Sequence, residues 1–160
     1  MKICSRGLGV KMLNNKIPPP IVTLLFGLII YFSKNIFPEI NNMIFNALSL
    51  FFIVAGPLIL IFAARSFRAQ QTTINPIDIH KTSSLVVTGI FKYSRNPMYL
   101  GMVLILFALS LRFNLIGGII FTYMFIIYIT KFQIIPEEKA MEKIFREEFL
   151  EYKNSTRRWV

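Results

Sequence analysis

The sequence predicts an all-α, polytopic membrane protein of about four transmembrane helices, ending in a helical hairpin and an amphipathic C-terminal helix. Three observations carry this expectation. Of 160 residues, 54% are apolar and only 16% are charged, with a mean hydropathy of +0.57. The charges are also absent from long stretches. Between Pro20 and Ile61 only Lys34 and Glu39 interrupt the apolar run, and between Met98 and Thr130 only Arg112 does. Finally, sixteen of the eighteen Lys and Arg residues fall before Pro18, between Arg65 and Arg95, or from Lys131 onward. Lys34 and Arg112 stand at the opposite ends of the apolar segments. That bias follows the positive-inside rule for four spans with both termini cytoplasmic.

Each element follows from local chemistry. Apolar runs of roughly 20 residues match the ~30 Å hydrocarbon core. A first span is expected over about 21–37, stopped by Pro38. The basic start, Pro18-Pro19-Pro20 and the lack of a small-residue cleavage site mark it as a retained span rather than a cleaved leader. A second span is expected over about 44–63, with a kink at Gly56-Pro57, because proline removes a backbone donor and crowds the preceding turn. Residues 65–97 are rich in Thr, Asn, Ser, Pro and Gly and predict a cytoplasmic loop. Two further spans, about 98–113 and 115–135, form the hairpin, with Asn114 and Gly117-Gly118 as its turn. After Pro136, Met141, Ile144, Phe145, Phe149 and Tyr152 recur at helical spacing. Glu138, Lys139, Glu142, Lys143, Arg146 and Glu147 occupy other faces. This pattern predicts an interfacial helix, with Arg157, Arg158 and Trp159 as headgroup anchors. The chain is expected to be one domain, 1–160.

Several function classes are excluded or set aside. The net charge of +10 follows membrane topology, so nucleic acid is not expected as a partner, and no obligate protein partner is evident. Basic juxtamembrane segments instead predict contact with anionic membrane lipids. Cys4 is the sole cysteine and His80 the sole histidine, so no disulfide framework and no metal site are expected. Gly7-Leu8-Gly9 lacks a third glycine and any βαβ context, so no dinucleotide fold is expected.

Two polar clusters remain. One is the run 85–101, which includes Gly89, Phe91, Arg95-Asn96-Pro97, Tyr99 and Gly101. The other is Glu137-Glu138 with the helix to Tyr152. Both fall at the cytoplasmic ends of the last two spans, where a hairpin brings them together around a boundary pocket. The first run resembles the Leu-Val-x-x-Gly-x-Tyr … Arg-His-Pro-x-Tyr-x-Gly signature of the isoprenylcysteine carboxyl methyltransferase and phospholipid methyltransferase family. The second resembles that signature's Glu-Glu half, matched at Glu137, Glu138, Met141, Phe145, Phe149 and Tyr152. The likeness to isoprenylcysteine methyltransferases runs without a gap over about 83–154.

The resemblance implies a cofactor, S-adenosyl-L-methionine, bound without a Rossmann domain, and a lipophilic small-molecule or lipid substrate arriving laterally from the bilayer. It implies that Ser83, Ser84, Leu85 and Val86 line the nucleoside end, with Phe91 beside them. Asn96, Pro97, Met98 and Tyr99 would hold the methionine moiety, whose carboxylate wants donors such as Arg95 or Asn96, and Glu137 would bind from the last helix. No side chain is assigned a catalytic role, since transfer from a sulfonium rests on positioning and desolvation. Departures from the signature are Asn96 for histidine, Phe91 for tyrosine and Arg146 for glycine. Gln133 stands where an arginine contacts substrate in isoprenylcysteine enzymes. Three readings stay open: O-methylation of a prenylated or similar acid, N-methylation of an aminophospholipid, and a non-enzymatic membrane protein of the same fold. The expected location is the cytoplasmic membrane, with the site facing the cytoplasm.

Overall fold

The computed structural model describes residues 17–38, 40, 42–69 and 85–160, and every regular element in them is helical. In chain order these are α1 (Pro19–Phe32), a 3₁₀ turn (Ser33–Asn35), α2 (Met43–Ala69), a second 3₁₀ turn (Gly89–Lys92), α3 (Pro97–Phe113), α4 (Leu115–Ile129), a π turn (Thr130–Ile134) and α5 (Ile135–Ser155). Cys4, Gly7-Leu8-Gly9, His80, Ser83 and Ser84 lie outside the described residues.

Two helical runs are long and apolar enough to cross a membrane: Met43–Ala69, whose most apolar window averages a hydropathy of 2.5, and Leu115–Ser155. Only 17% of that first window is buried within the protein, which a core helix of a soluble protein would not tolerate. The other two, Pro19–Asn35 and Pro97–Phe113, are shorter apolar helices. Large apolar side chains such as Leu24, Phe32, Phe51 and Tyr123 face outward along these helices, as lipid contact requires. Proline opens α1 and α3, where its missing N–H costs no helical bond.

The most extensive packing joins α2 to α3. Gly56 and Gly101 face each other there, and a Cβ on either would come within 2.8 Å of the other's carbonyl oxygen. Small residues let backbones approach this closely, which is how helices pack where water supplies no hydrophobic drive. The core centres on Val22, Ile30, Met102, Leu106, Phe125, Ile129 and Ile134. Helix α2 runs unbroken through Pro57 to Ala69, six residues beyond the predicted end of the span.

The hairpin forms as predicted, but its turn is made by Asn114 alone. Its Oδ1 accepts from Gly117 N at 3.0 Å, capping α4, and its Nδ2 donates to Ser33 O and Oγ at 3.3 and 3.1 Å, tying the hairpin to α1. Gly117 and Gly118 lie inside α4, where Gly118 packs against Ser110, rather than in the turn.

The apolar part of the last long run ends near Ile135, and α5 continues it through the π turn without the expected break at Pro136. The amphipathic helix bends at Arg146, whose φ of 45° and ψ of −114° are not helical. Beyond α5 the expected headgroup anchors divide. Arg157 is exposed, but Trp159 packs onto the core cluster and Arg158 turns toward α5.

Candidate active site

The site is built where α3 begins, where α4 passes into α5, and where the chain returns after Ser155. Pro97 is the first residue of α3, and Asn96 before it, at φ −129° and ψ 53°, is outside the helical region. That entry leaves Tyr99 in the first turn, buried and directed at α5. Its hydroxyl donates to Glu137 Oε1 at 2.6 Å. The two halves of the predicted signature therefore meet.

The adjacent carboxylate takes different partners. Glu138 Oε1 accepts from Arg95 Nη2 at 2.9 Å and from Arg158 Nε at 3.1 Å, and its Oε2 accepts from Arg158 Nη2 at 2.7 Å. Burial alone would raise Glu138, but the hydrogen bonds and charges of Arg158 and Arg95 outweigh it and hold the carboxyl below its usual range. Glu137 has no such cation among the described residues. Burial pushes it upward, the Tyr99 hydroxyl pulls it partly back, and the charge of Glu138 adds to the rise.

Arg95 and Asn96 were expected to face a ligand carboxylate, and the structure gives most of their donors to the returning chain. Arg95 Nη1 donates to the carbonyls of Lys153 at 2.8 Å and Thr156 at 2.6 Å, and Arg95 N donates to Arg157 O at 3.0 Å. Asn96 Nδ2 donates to Arg158 O at 3.0 Å. One donor of the pair, Arg95 Nε, is buried without a partner.

The remaining signature residues pack around this frame. Leu85, Val86 and Phe91 form a buried cluster with Ala63, Phe149 and Tyr152, to which Met98, Met141 and Phe145 add their sides. Tyr152 Oη donates to Phe91 O at 2.7 Å, so the apolar positions of the second half seal directly onto the first. Phe67 meets the Phe91 ring edge-on at 5.1 Å, bringing in the end of α2.

Gln133 lies in the π turn, one turn before Glu137. It is fully buried, its Nε2 donates to Ile17 O at 2.9 Å, and its Oε1 has no partner. Lys131, the nearest cation in sequence, is exposed and stands 5.7 Å from the Phe132 ring centroid. No group of His, Cys, Asp and Glu among the described residues has the arrangement of a metal site.

Sequence reasoning missed the pairing of Glu138, matched only as part of the Glu-Glu signature, with Arg95 and Arg158, the latter expected at the headgroups. The signal available was the Glu-Glu pair. Two adjacent carboxylates at a helix start project in different directions, so only one can face a given neighbour.

A family model described as phospholipid methyltransferase matches residues 44–148. No curated protein and no solved structure matches the chain. The match spans α2, both signature regions at α3 and the start of α5, and the Tyr99–Glu137 contact between them. The chain belongs to the phospholipid methyltransferase family, a family of membrane methyltransferases.

Proposed function

We propose that the chain is an S-adenosyl-L-methionine-dependent methyltransferase acting at the membrane on a lipophilic acceptor. The observation that carries the reading is the Tyr99–Glu137 hydrogen bond, which closes the two signature halves into one corner. When bound, the cofactor supplies a methyl group on a sulfonium, whose transfer needs alignment and exclusion of water rather than a strong acid or base.

The residues present suit this cofactor. Glu137 is a half-buried carboxylate with a hydroxyl but, among the described residues, no cation beside it, which matches an α-ammonium group. Arg95 Nε is an orphaned buried donor in the same corner, which matches a carboxylate. Leu85, Val86 and Phe91 offer an apolar wall for the nucleoside end, the end to which the resemblance also assigns Ser83 and Ser84. Pro97 and Met98 fix the start of α3 against that wall. The expected roles of Arg95 and Asn96 change in part, because their other donors hold the returning chain.

The acceptor reading of first choice is an O-methylation like that of protein-S-isoprenylcysteine, on the strength of the gap-free resemblance over 83–154. Gln133 favours a second one. A carboxylate acceptor would gain from a cation at this position, and Gln133 is neutral, buried and already bonded to Ile17. N-methylation of an aminophospholipid makes no such demand. In either case the acceptor enters from the bilayer, the membrane is the cytoplasmic one, and the site faces the cytoplasm.

Calorimetry of the detergent-purified chain with S-adenosylhomocysteine tests the cofactor. Saturable binding is expected, and its absence at millimolar ligand would leave the non-enzymatic reading. Radiolabelled methyl transfer into a total lipid extract, run beside a prenylcysteine analogue, then separates the two acceptor classes.

A further inference from the structure

The two cations that break the positive-inside pattern lie at the end of the bundle opposite Glu137, and two adjoining hollows meet beside them. One, of about 540 Å³, runs between α2 and α3. Its floor is formed by Ser49 and Ala108, held together by the Ser49 hydroxyl donating to Ala108 O at 2.9 Å. Its walls include Ile53 and Leu109, and Asn46 and Arg112 stand in its lining. The other, of about 180 Å³, is lined by Lys34, Asn114 and the same Asn46 and Arg112.

The pair differs in character in the way an amphiphile does. The larger hollow has mainly apolar walls, with the Ser49 hydroxyl already bonded to Ala108 O, and a volume within the range of small-molecule sites, ~300–1,000 Å³. The smaller one gathers amides and both cations. Lys34 is tied to this corner through Tyr31: its Nζ stands 4.7 Å from the Tyr31 centroid, and that ring meets Phe113 edge-on at 5.2 Å. Arg112 is exposed, and its guanidinium donates to Asn46 Oδ1 at 3.3 Å. That is a long contact to a neutral group, so the charge is not compensated by it. Helices α1 to α4 contain no acidic residue, and Glu39 is the one acid that the sequence places between α1 and α2.

We propose that this corner is a binding site for an anionic glycerophospholipid of the membrane face opposite the candidate active site. Its phosphate is held by Arg112 and Lys34, and one acyl chain lies in the α2–α3 groove. The charge of the corner selects the headgroup, since basic residues at a membrane boundary attract anionic lipids. The groove supplies the apolar contact that a free phosphate ion could not use. The site is separate from the Tyr99–Glu137 corner and does not depend on the function proposed for it.

Native mass spectrometry of the full chain, released from detergent containing equimolar phosphatidylglycerol and phosphatidylcholine with identical acyl chains, tests this. One retained phosphatidylglycerol, favoured about tenfold over phosphatidylcholine, is the expected result for a charge-assisted headgroup contact. The double variant Lys34→Gln/Arg112→Gln should bring the two lipids to parity, and Ile53→Trp, which fills the groove, should reduce retention of both. Parity in the wild-type protein would overturn the proposal without reference to any variant. Undiminished selectivity in the double variant, retention unaffected by Ile53→Trp, or a chain dimer that excludes lipid would overturn it as well.

Discussion

The Tyr99 hydroxyl meets Glu137 Oε1 at 2.6 Å across 38 positions of sequence, and no cation among the described residues shares that carboxylate. Glu137→Ala should therefore abolish binding of S-adenosylhomocysteine while the protein still expresses and inserts. Tyr99→Phe should weaken binding about tenfold, the cost of one charge-assisted hydrogen bond. Calorimetry on the three proteins checks both outcomes.

Acidity supplies an independent test of the same pair. Burial pushes Glu137 up to about 7, so its ionised form, the one that attracts an ammonium, is lost as pH falls through that value. Affinity should drop there. Tyr99→Phe removes a bond that favours the ionised form, so the drop should move to higher pH. The sign for stability is opposite. Ionising a buried carboxylate costs the fold nothing below its ordinary 4.5, and the cost grows as pH rises to about 7. A binding curve flat across this range would contradict the assignment.

Glu138 holds Arg95, whose side chain is only 9% exposed, and Arg158, whose side chain is 37% exposed. Glu138→Gln leaves the Arg95 charge buried without its counterion and should cost about 3 kcal/mol. Arg158→Gln removes a partly solvated partner and should cost less than about 1 kcal/mol. Because Glu138 is held below its usual range, its contribution is complete above pH 4.5 and is lost as pH falls through the lowered value. Thermal melting in detergent, repeated across acid pH, reads both effects.

Arg146 occupies a positive-φ position inside α5, where the family signature has glycine. A side chain is strained there and glycine is not. Arg146→Gly should stabilise the chain by about 1 kcal/mol, seen as a higher melting temperature with unchanged helix content.

Gly56→Ala should do the reverse. Its Cβ would sit 2.8 Å from Gly101 O and 2.7 Å from Ile105 Cγ1, and a backbone oxygen cannot swing aside. A loss of about 1–3 kcal/mol is expected, and it should be apparent in the same melting assay.

These residues also mark what the sequence could and could not disclose. Charge distribution and apolar run lengths located the four apolar helical runs, two of them long and apolar enough to cross a membrane. Pairing Tyr99 with Glu137 needed only the hairpin and two spacings. Helix α2 continues past the predicted end of span two, because a helix can extend beyond the apolar boundary with Arg65 and Arg68 in the polar zone. Gly117-Gly118 suggested a turn because glycine often makes one. Their use in packing depends on Phe37 and Ser110, which no local pattern reveals. The clasp of Arg95 and Asn96 on the chain after α5 depends on backbone carbonyls, which every residue carries, so no side-chain signature points to it.

That clasp sets a timetable. Arg95 and Asn96 find their acceptors 58 to 62 positions later, on Lys153, Thr156 and Arg158. While the chain is being synthesised, the first signature region leaves the ribosome and enters the bilayer boundary with its donors unmatched. Water and lipid phosphates must serve in the interval. The corner acquires its final shape only once Lys153, Thr156 and Arg158 are free to fold back onto the start of α3, so it is the last part of these helices to be assembled.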